Sequence, residues 1–313
     1  MRVSTSTFTG NFLTEIQQLE QQQNNLQSEA SSGLSVVSPE DNPAVMSQVL
    51  NLQSDQSANS QYQTNIAQLQ AVATASGSAM TSLQSLVSQA SQIATEASSS
   101  TTSSTQMSAY ATQVESLIQQ ALQLANTQDS DGDYLFSGTA TSTQPFVATT
   151  DASGNVTGVT YQGNNKTVQG QIASNMTVIA RVPGANPGTT GEEGLFTDAR
   201  SGADLFNHLI ALQQDLAAGN HSAISSTDAP ALAKDEDNVV NQISANGVMQ
   251  SALTTANSIA SSRNTNIASQ ISGDADADLA TTMTELDKTQ TAYEAALESG
   301  TMVMNVSLLN FLA

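Results

Sequence analysis

Residues 279–304, LATTMTELDKTQTAYEAALESGTMVM, place Leu279, Met283, Leu286, Gln290, Tyr293, Leu297, Gly300 and Met304 at alternating steps of four and three. That is a heptad repeat, the spacing of a helix that lays one stripe along a neighbouring helix. A weaker copy lies near the other end, where Phe12, Ile16, Leu19, Gln23, Leu26 and Ala30 also step by four and three, diluted by Gln on otherwise polar faces. Two terminal seams of this kind predict chain ends that pair as a coiled coil.

Between the seams the punctuation is clear. Gly33 breaks the first helix, and Ser38-Pro39-Glu40-Asp41-Asn42-Pro43 predicts a turn followed by a helix start near Ala44, because Pro disfavours helical geometry in the residue before it. The next helix carries Val45, Val49, Leu52, Gln56 and Asn59, and after one shift Tyr62, Ile66, Leu69, Ala73, Ser76, Met80, Leu83, Val87, Ala90 and Ala94. It is too long for an ordinary globular helix and suits a rod. The Ser/Thr run from Ser98 to Ser104 predicts a bend, after which Met107, Tyr110, Val114, Leu117, Ala121 and Leu124 resume the seam in a helical hairpin.

Between about Asp129 and Arg200 the period changes to two, in Val156, Val159 and Tyr161, in Val168 and Ile172, and in Met176, Val178, Ala180 and Val182, interrupted by Gly, Asn and Pro. Helical spacing returns with Leu205, Leu209, Leu212 and Leu216 and continues through Val240, Ile243, Leu253, Ala260, Ile267 and Ile271. The predicted fold is mainly α: a long helical hairpin and coiled-coil rod built from the N- and C-terminal segments, with a small inserted β-rich domain. The expected division is residues 1–43 and 272–313 as a terminal assembly coiled coil, residues 44–128 and 201–271 as a helical rod, and residues 129–200 as the β-rich insert.

Composition narrows the function classes. Seven Lys or Arg face 28 Asp or Glu, for a net charge of -21, although only 11% of residues are charged. That balance repels polyanions, so nucleic acid and anionic membrane surfaces are poor partners. Hydrophobic residues make up 38% and aromatics 4%, which argues against a thick aromatic core, and the absence of Cys removes disulfides, thiol nucleophiles and thiolate metal sites. The N-terminus has no apolar signal-peptide core, and nowhere do about 18 apolar residues run together. Export without a cleaved signal peptide is the expectation.

The candidate chemistry is thin. Asp129-Ser130-Asp131-Gly132-Asp133 alternates carboxylates, but its Gly is at the fourth position and Ala140 at the twelfth, so it reads as an Asp/Gly turn, not a calcium loop. Asp274 to Asp278 reads as acidic charge at a helix N-terminus. His208 and His221 are the two histidines, too few for a histidine metal site without several carboxylates, and His208 sits at helical spacing among leucines. Val182-Pro183-Gly184-Ala185-Asn186-Pro187-Gly188 lacks the Lys-Ser/Thr ending of a phosphate-binding loop. No catalytic, cofactor-binding or metal-binding residue is predicted.

The end of the chain has another character. Met302-Val303-Met304-Asn305-Val306-Ser307-Leu308-Leu309-Asn310-Phe311-Leu312 is apolar on more than one helical face and carries no charge, so one partner helix cannot cover it. Burying one such side chain is worth roughly 1.5 to 3 kcal/mol, so a few of them can offset the cost of ordering a short helix. The candidate assembly residues are Phe12, Ile16, Leu19 and Leu26 with Met283, Leu286, Tyr293, Leu297, Met304, Leu308, Leu309, Phe311 and Leu312. The competing reading is an intramolecular bundle in which the same seams form the core of a monomer.

These features resemble flagellin-type axial proteins along essentially the full chain. Ser31-Ser32-Gly33-Leu34-Ser35-Val36-Val37-Ser38-Pro39-Glu40-Asp41-Asn42-Pro43 is similar to the family's first interhelical stretch, with Leu34-Ser35 in place of its basic pair and Asn42 where Asp is common. Asn59-Ser60-Gln61-Tyr62-Gln63-Thr64-Asn65 follows at the family's place. Asp133-Tyr134-Leu135-Phe136-Ser137-Gly138-Thr139, running to Gln144-Pro145-Phe146, and the ending Ser307-Leu308-Leu309-Asn310-Phe311-Leu312 resemble the hook-associated branch at the hook-filament junction. The resemblance implies a non-enzymatic adaptor on the extracellular flagellum, exported through the type III apparatus. Its implied partners are other copies of itself, a neighbouring hook-associated protein, flagellin and an export chaperone. The alternative within the family is flagellin itself. From another class, the alternative is an enzyme or adhesin acting through the insert.

Overall fold

The computed structural model describes the backbone of residues 5–312 and the side chains of residues 10–302. In chain order the helices are α1 (Thr5–Ser32), α2 (Pro43–Ala97) and α3 (Ser104–Ala125). Strands β1 (Phe146–Thr150), β2 (Val156–Tyr161), β3 (Gln169–Ala173), β4 (Met176–Ile179), β5 (Ala185–Asn186), β6 (Thr197–Asp198) and β7 (Ala203–Asp204) follow. Then come α4 (Leu205–Ala218), the short α5 (His221–Ala223), a π-helical turn (Ile224–Asp228), α6 (Ala229–Ala275) and α7 (Leu279–Leu312). The mainly α fold with a small β region is therefore present as read from the periodicity. Contacts divide the chain into two compact units, Met1–Asn59 with Ser262–Ala313, and Ser60–Ser261.

In the first unit, α1 packs against α7. The pair is antiparallel: Phe12 lies against Gly300 near one end, and Leu34 bridges Asp276 at the other. α1 stops at Gly33, whose φ of 74° suits the left-handed position that closes a helix and whose N–H reaches Glu29 O at 2.8 Å. The two connectors then bond to each other, Ser35 N–H to Ala275 O (2.7 Å) and Ala277 N–H to Gly33 O (2.8 Å). Asn42 Oδ1 accepts from Val45 N–H (3.2 Å), which starts α2 with Pro43 at its first position, where a missing N–H costs nothing.

The second unit holds the main core. Buried Met80, Leu83, Val87, Val114, Ile118, Leu209 and Leu212 join α2, α3 and α4 in one cluster, which also takes in Phe136, Phe146, Val156 and Phe196 from the β-rich region. Four phenylalanines form its centre, with ring centroids 5.0 Å apart for Phe146–Phe196, 5.3 Å for Phe146–Phe206 and 5.6 Å for Phe136–Phe196. Four of the chain's seven phenylalanines are thus concentrated where the insert meets the helices. Gly184 is required there, since a Cβ would fall 2.6 Å from the Phe146 ring and 2.8 Å from Phe136 O. β1 pairs antiparallel with β2, β3 with β4, and β5–β6–β7 make a small mixed sheet. A smaller cluster of Ile66, Ala73, Ile172, Leu253 and Ala260 fixes the β3–β4 hairpin.

The predicted bend at the Ser/Thr run is a tight turn between α2 and α3. Ser103 caps α3 by accepting from Gln106 N–H, while the Gln106 side chain returns to Ser103 N–H, a capping box that satisfies two otherwise orphaned donors.

Candidate assembly surface

On α1 the half-buried positions include Phe12, Ile16, Leu19, Gln23, Leu26 and Ala30, the stripe that the sequence spacing picks out, together with Ser28 and Glu29 near its end, and α1 packs against α7. On α7 the buried face is different from the predicted one. Thr282, Leu286, Thr289 and Gly300 are buried, with Tyr293 and Ala296 half-buried between them. The predicted seam and this face share the stripe Leu286, Tyr293 and Gly300. They differ in its flank: the small residues Thr282, Thr289 and Ala296 turn inward, and Leu279, Met283 and Leu297 stay 49%, 52% and 43% exposed.

The difference has a steric cause. Successive residues are about 100° apart on a helix, so the flanks Thr282/Thr289/Ala296 and Met283/Gln290/Leu297 lie on opposite sides of the shared stripe. Close approach of α1 selects the smaller flank. Gly300 shows how close it is, because any Cβ there would lie on the Phe12 ring. The result leaves Leu279, Met283 and Leu297 exposed on the flank beside the buried stripe, and Met302, farther along and on another face, is 59% exposed. On α1, Leu13 is likewise 55% exposed. The side chains of Met304, Leu308, Leu309, Phe311 and Leu312 lie outside the described residues, although their backbone continues α7 to Leu312.

The sites weighed as chemistry resolve into structural roles. Asp129 Oδ1 accepts from Asp131 N–H and Asp133 N–H (both 3.0 Å), and Arg181 binds its other oxygen at 2.7 Å, closing a turn with Gly132 at φ 84°. Asp278 caps α7, accepting from Ala280 N–H (3.1 Å) and Thr281 Oγ1 (2.8 Å), and the Thr281 hydroxyl and N–H with the Ala280 N–H hold its carboxyl below the usual range. His208 Nδ1 lies 2.8 Å from Asp235 Oδ2, and Asp235 Oδ1 also accepts from Asp204 N–H (2.9 Å). The Asp235 bond raises the His208 pKa against the opposing effect of burial. His221 Nδ1 contacts Ala97 O at 2.7 Å, a tie to the C-terminal end of α2.

One buried residue gave no signal in sequence. Glu115, 8% exposed on α3, accepts from Val156 N–H with both carboxylate oxygens (3.1 and 3.3 Å) and so anchors β2 to the helix. Among the described residues no group of three or more His, Asp or Glu could hold a metal ion, and no helix is long and apolar enough to cross a membrane.

Residues 3–141 match the bacterial flagellin N-terminal helical region. No curated protein matches the chain by sequence. Among solved structures, a Vibrio parahaemolyticus protein assigned as flagellar hook-associated is 22% identical, with a TM-score of 0.64 over 76% of this chain and 100% of that one. Bacillus cereus FlgL is 19% identical, with a TM-score of 0.56 over 71% and 99%. The flagellar junction protein FlgL from Legionella pneumophila is 14% identical, with a TM-score of 0.51 over 66% and 99%. Residues 3–141 are thus similar to the flagellin N-terminal helical region, and the chain has the flagellin-like fold of the flagellar hook-associated proteins it matches.

Proposed function

We propose that this chain is a structural, non-enzymatic adaptor subunit of the bacterial flagellum that joins hook to filament. The observation that carries the reading is the end-to-end fold match to hook-associated and junction proteins, which this chain spans over 98–100% of their length. The large apolar side chains that α7 leaves exposed, Leu279, Met283, Leu297 and Met302, support a role in assembly, since contact with other subunits would bury them.

In this proposal the segments 1–43 and 272–313 form the assembly coiled coil, with Phe12, Ile16, Leu19, Leu26, Leu286 and Tyr293 joining α1 to α7. Met283, Leu297, Met304, Leu308, Leu309, Phe311 and Leu312 meet neighbouring copies. Segments 44–128 and 201–271 supply the stiff helical body, and residues 129–200 its β-rich insert. The partners are other copies, a neighbouring hook-associated protein and flagellin, with an export chaperone before secretion. The protein works outside the cell on the flagellum and needs no cofactor.

Flagellin itself is the second reading, favoured by the match of residues 3–141 to the flagellin region. A strain deleted for this chain separates the two. Hooks without filaments, with flagellin released into the medium, are expected for the junction adaptor. Hooks with no exported filament subunit would replace it with flagellin, and normal swimming would overturn both.

A further inference from the structure

The corner between α4 and α6 contains a buried carboxylate oxygen for which no donor is found among the described residues. Asp228 is 2% exposed, and its Oδ2 is buried with no hydrogen-bond partner among the described residues. It ends the π-helical turn Ile224–Asp228, in which Ala229 N–H reaches back to Ile224 O. Pro230 accounts for the wide turn: it has no N–H for Ser226 O, and its ring crowds that carbonyl, so the chain takes the longer bond instead. The turn sets Asp228 beside Asp215, in the last turn of α4, whose Oδ1 accepts from Asn220 Nδ2 at 3.0 Å.

A buried carboxylate oxygen with no donor is costly, and a second carboxylate beside it makes it costlier. A proton on Asp228, donated to Asp215, removes both penalties. We propose that Asp215 and Asp228 form a proton-locked clasp at the α4–α6 corner, in which one shared proton holds the π-helical turn closed and its loss loosens the turn. The inference does not depend on the flagellar reading.

The electrostatics agree with the geometry. Burial, then the charge of Asp215, push the Asp228 carboxyl up to about 6, and His208, the cation facing it from α4, opposes them. Asp235 on α6 is occupied by His208 and Asp204 N–H. A carboxyl raised in the folded state stabilises the fold fully below its unfolded value of 3.8, and that stabilisation is lost as pH rises through about 6. Asp235 raises the pKa of His208, and His208→Gln isolates its titration from that of Asp228.

The test is hydrogen exchange of the amides of residues 219–229 in the full-length chain from about pH 5 to about pH 8, corrected for intrinsic rates. In the native chain, opening of this corner should increase on the order of tenfold as pH passes through about 6. Asp228→Asn, whose amide can donate to Asp215 permanently, should abolish the step and keep the corner closed throughout, and Asp215→Asn should remove the step by supplying the donor from the other side. Identical pH profiles in the native chain and both variants, or a step that disappears only in His208→Gln, would overturn the clasp.

Discussion

Gly300 sets two rules against each other. Glycine inside a helix costs about 1 kcal/mol relative to alanine, so propensity alone predicts that Gly300→Ala stabilises α7. The Phe12 ring occupies the place of that methyl, and overpacking of this kind costs about 1–3 kcal/mol. We expect the ring to win: Gly300→Ala lowers the thermal midpoint of the full-length chain, and adding Phe12→Leu restores part of it, read by circular dichroism as a double-mutant cycle. His208 gives a second residue-level prediction. Its raised pKa means that the folded state holds a proton which the unfolded chain gives up, so its contribution is complete below about 6.5 and fades as pH rises through the folded value. The thermal midpoint should therefore fall between about pH 6.5 and about pH 8 in the native chain, and less in His208→Gln. Neither role was legible in sequence. A glycine at a seam position says nothing of the ring opposite, and the partner of His208 is 27 residues away. Glu115 is the clearest case, since a lone Glu on an amphipathic helix reads as solvated until the Val156 amide is placed against it.

At the scale of elements, periodicity reads well where large apolar side chains mark the contact. The α1 stripe appears in the structure as spaced in the sequence, because Phe12, Ile16, Leu19 and Leu26 are the large apolar residues at that spacing. α7 was legible only by half: its inward flank is Thr282, Thr289 and Ala296, small residues that a search for bulk passes over, whereas the bulky Met283 and Leu297 face out. β2, β3 and β4 fall on stretches read from their period of two, but β1 was not among them, and β5, β6 and β7 are two residues each, too short to show a period. Their positions depend instead on tertiary bonds such as Asn238 Nδ2 to Gly194 O (3.0 Å) and Leu195 O (2.9 Å). The turn into α3 is set locally, by the reciprocal bonds of Ser103 and Gln106. Ser103→Ala should cost about 1 kcal/mol, lowering the urea midpoint without changing the slope of the transition.

For the whole molecule, the question is how one chain combines a net charge of -21 with an apolar strip left open on a terminal helix. Net charge of one sign keeps free subunits apart and in solution, while a strip of exposed Met and Leu favours association once copies are held side by side. Only the second effect is local, and so it can be removed without touching the fold. Leu297 is 43% exposed and Met283 52%, on the outer flank beside the buried stripe of α7, so Leu297→Lys or Met283→Lys should leave helix content and thermal midpoint within the range of ordinary surface substitutions, about 0.5 kcal/mol. Leu286→Lys, at a position 9% exposed, should unfold the α1–α7 pair instead. If the open strip is the assembly surface, the first two variants are exported in normal amounts but are absent from purified flagella and fail to restore swimming to a strain lacking the native chain. Normal incorporation of both would assign assembly to another surface, leaving the strip as no more than the uncovered side of a surface helix.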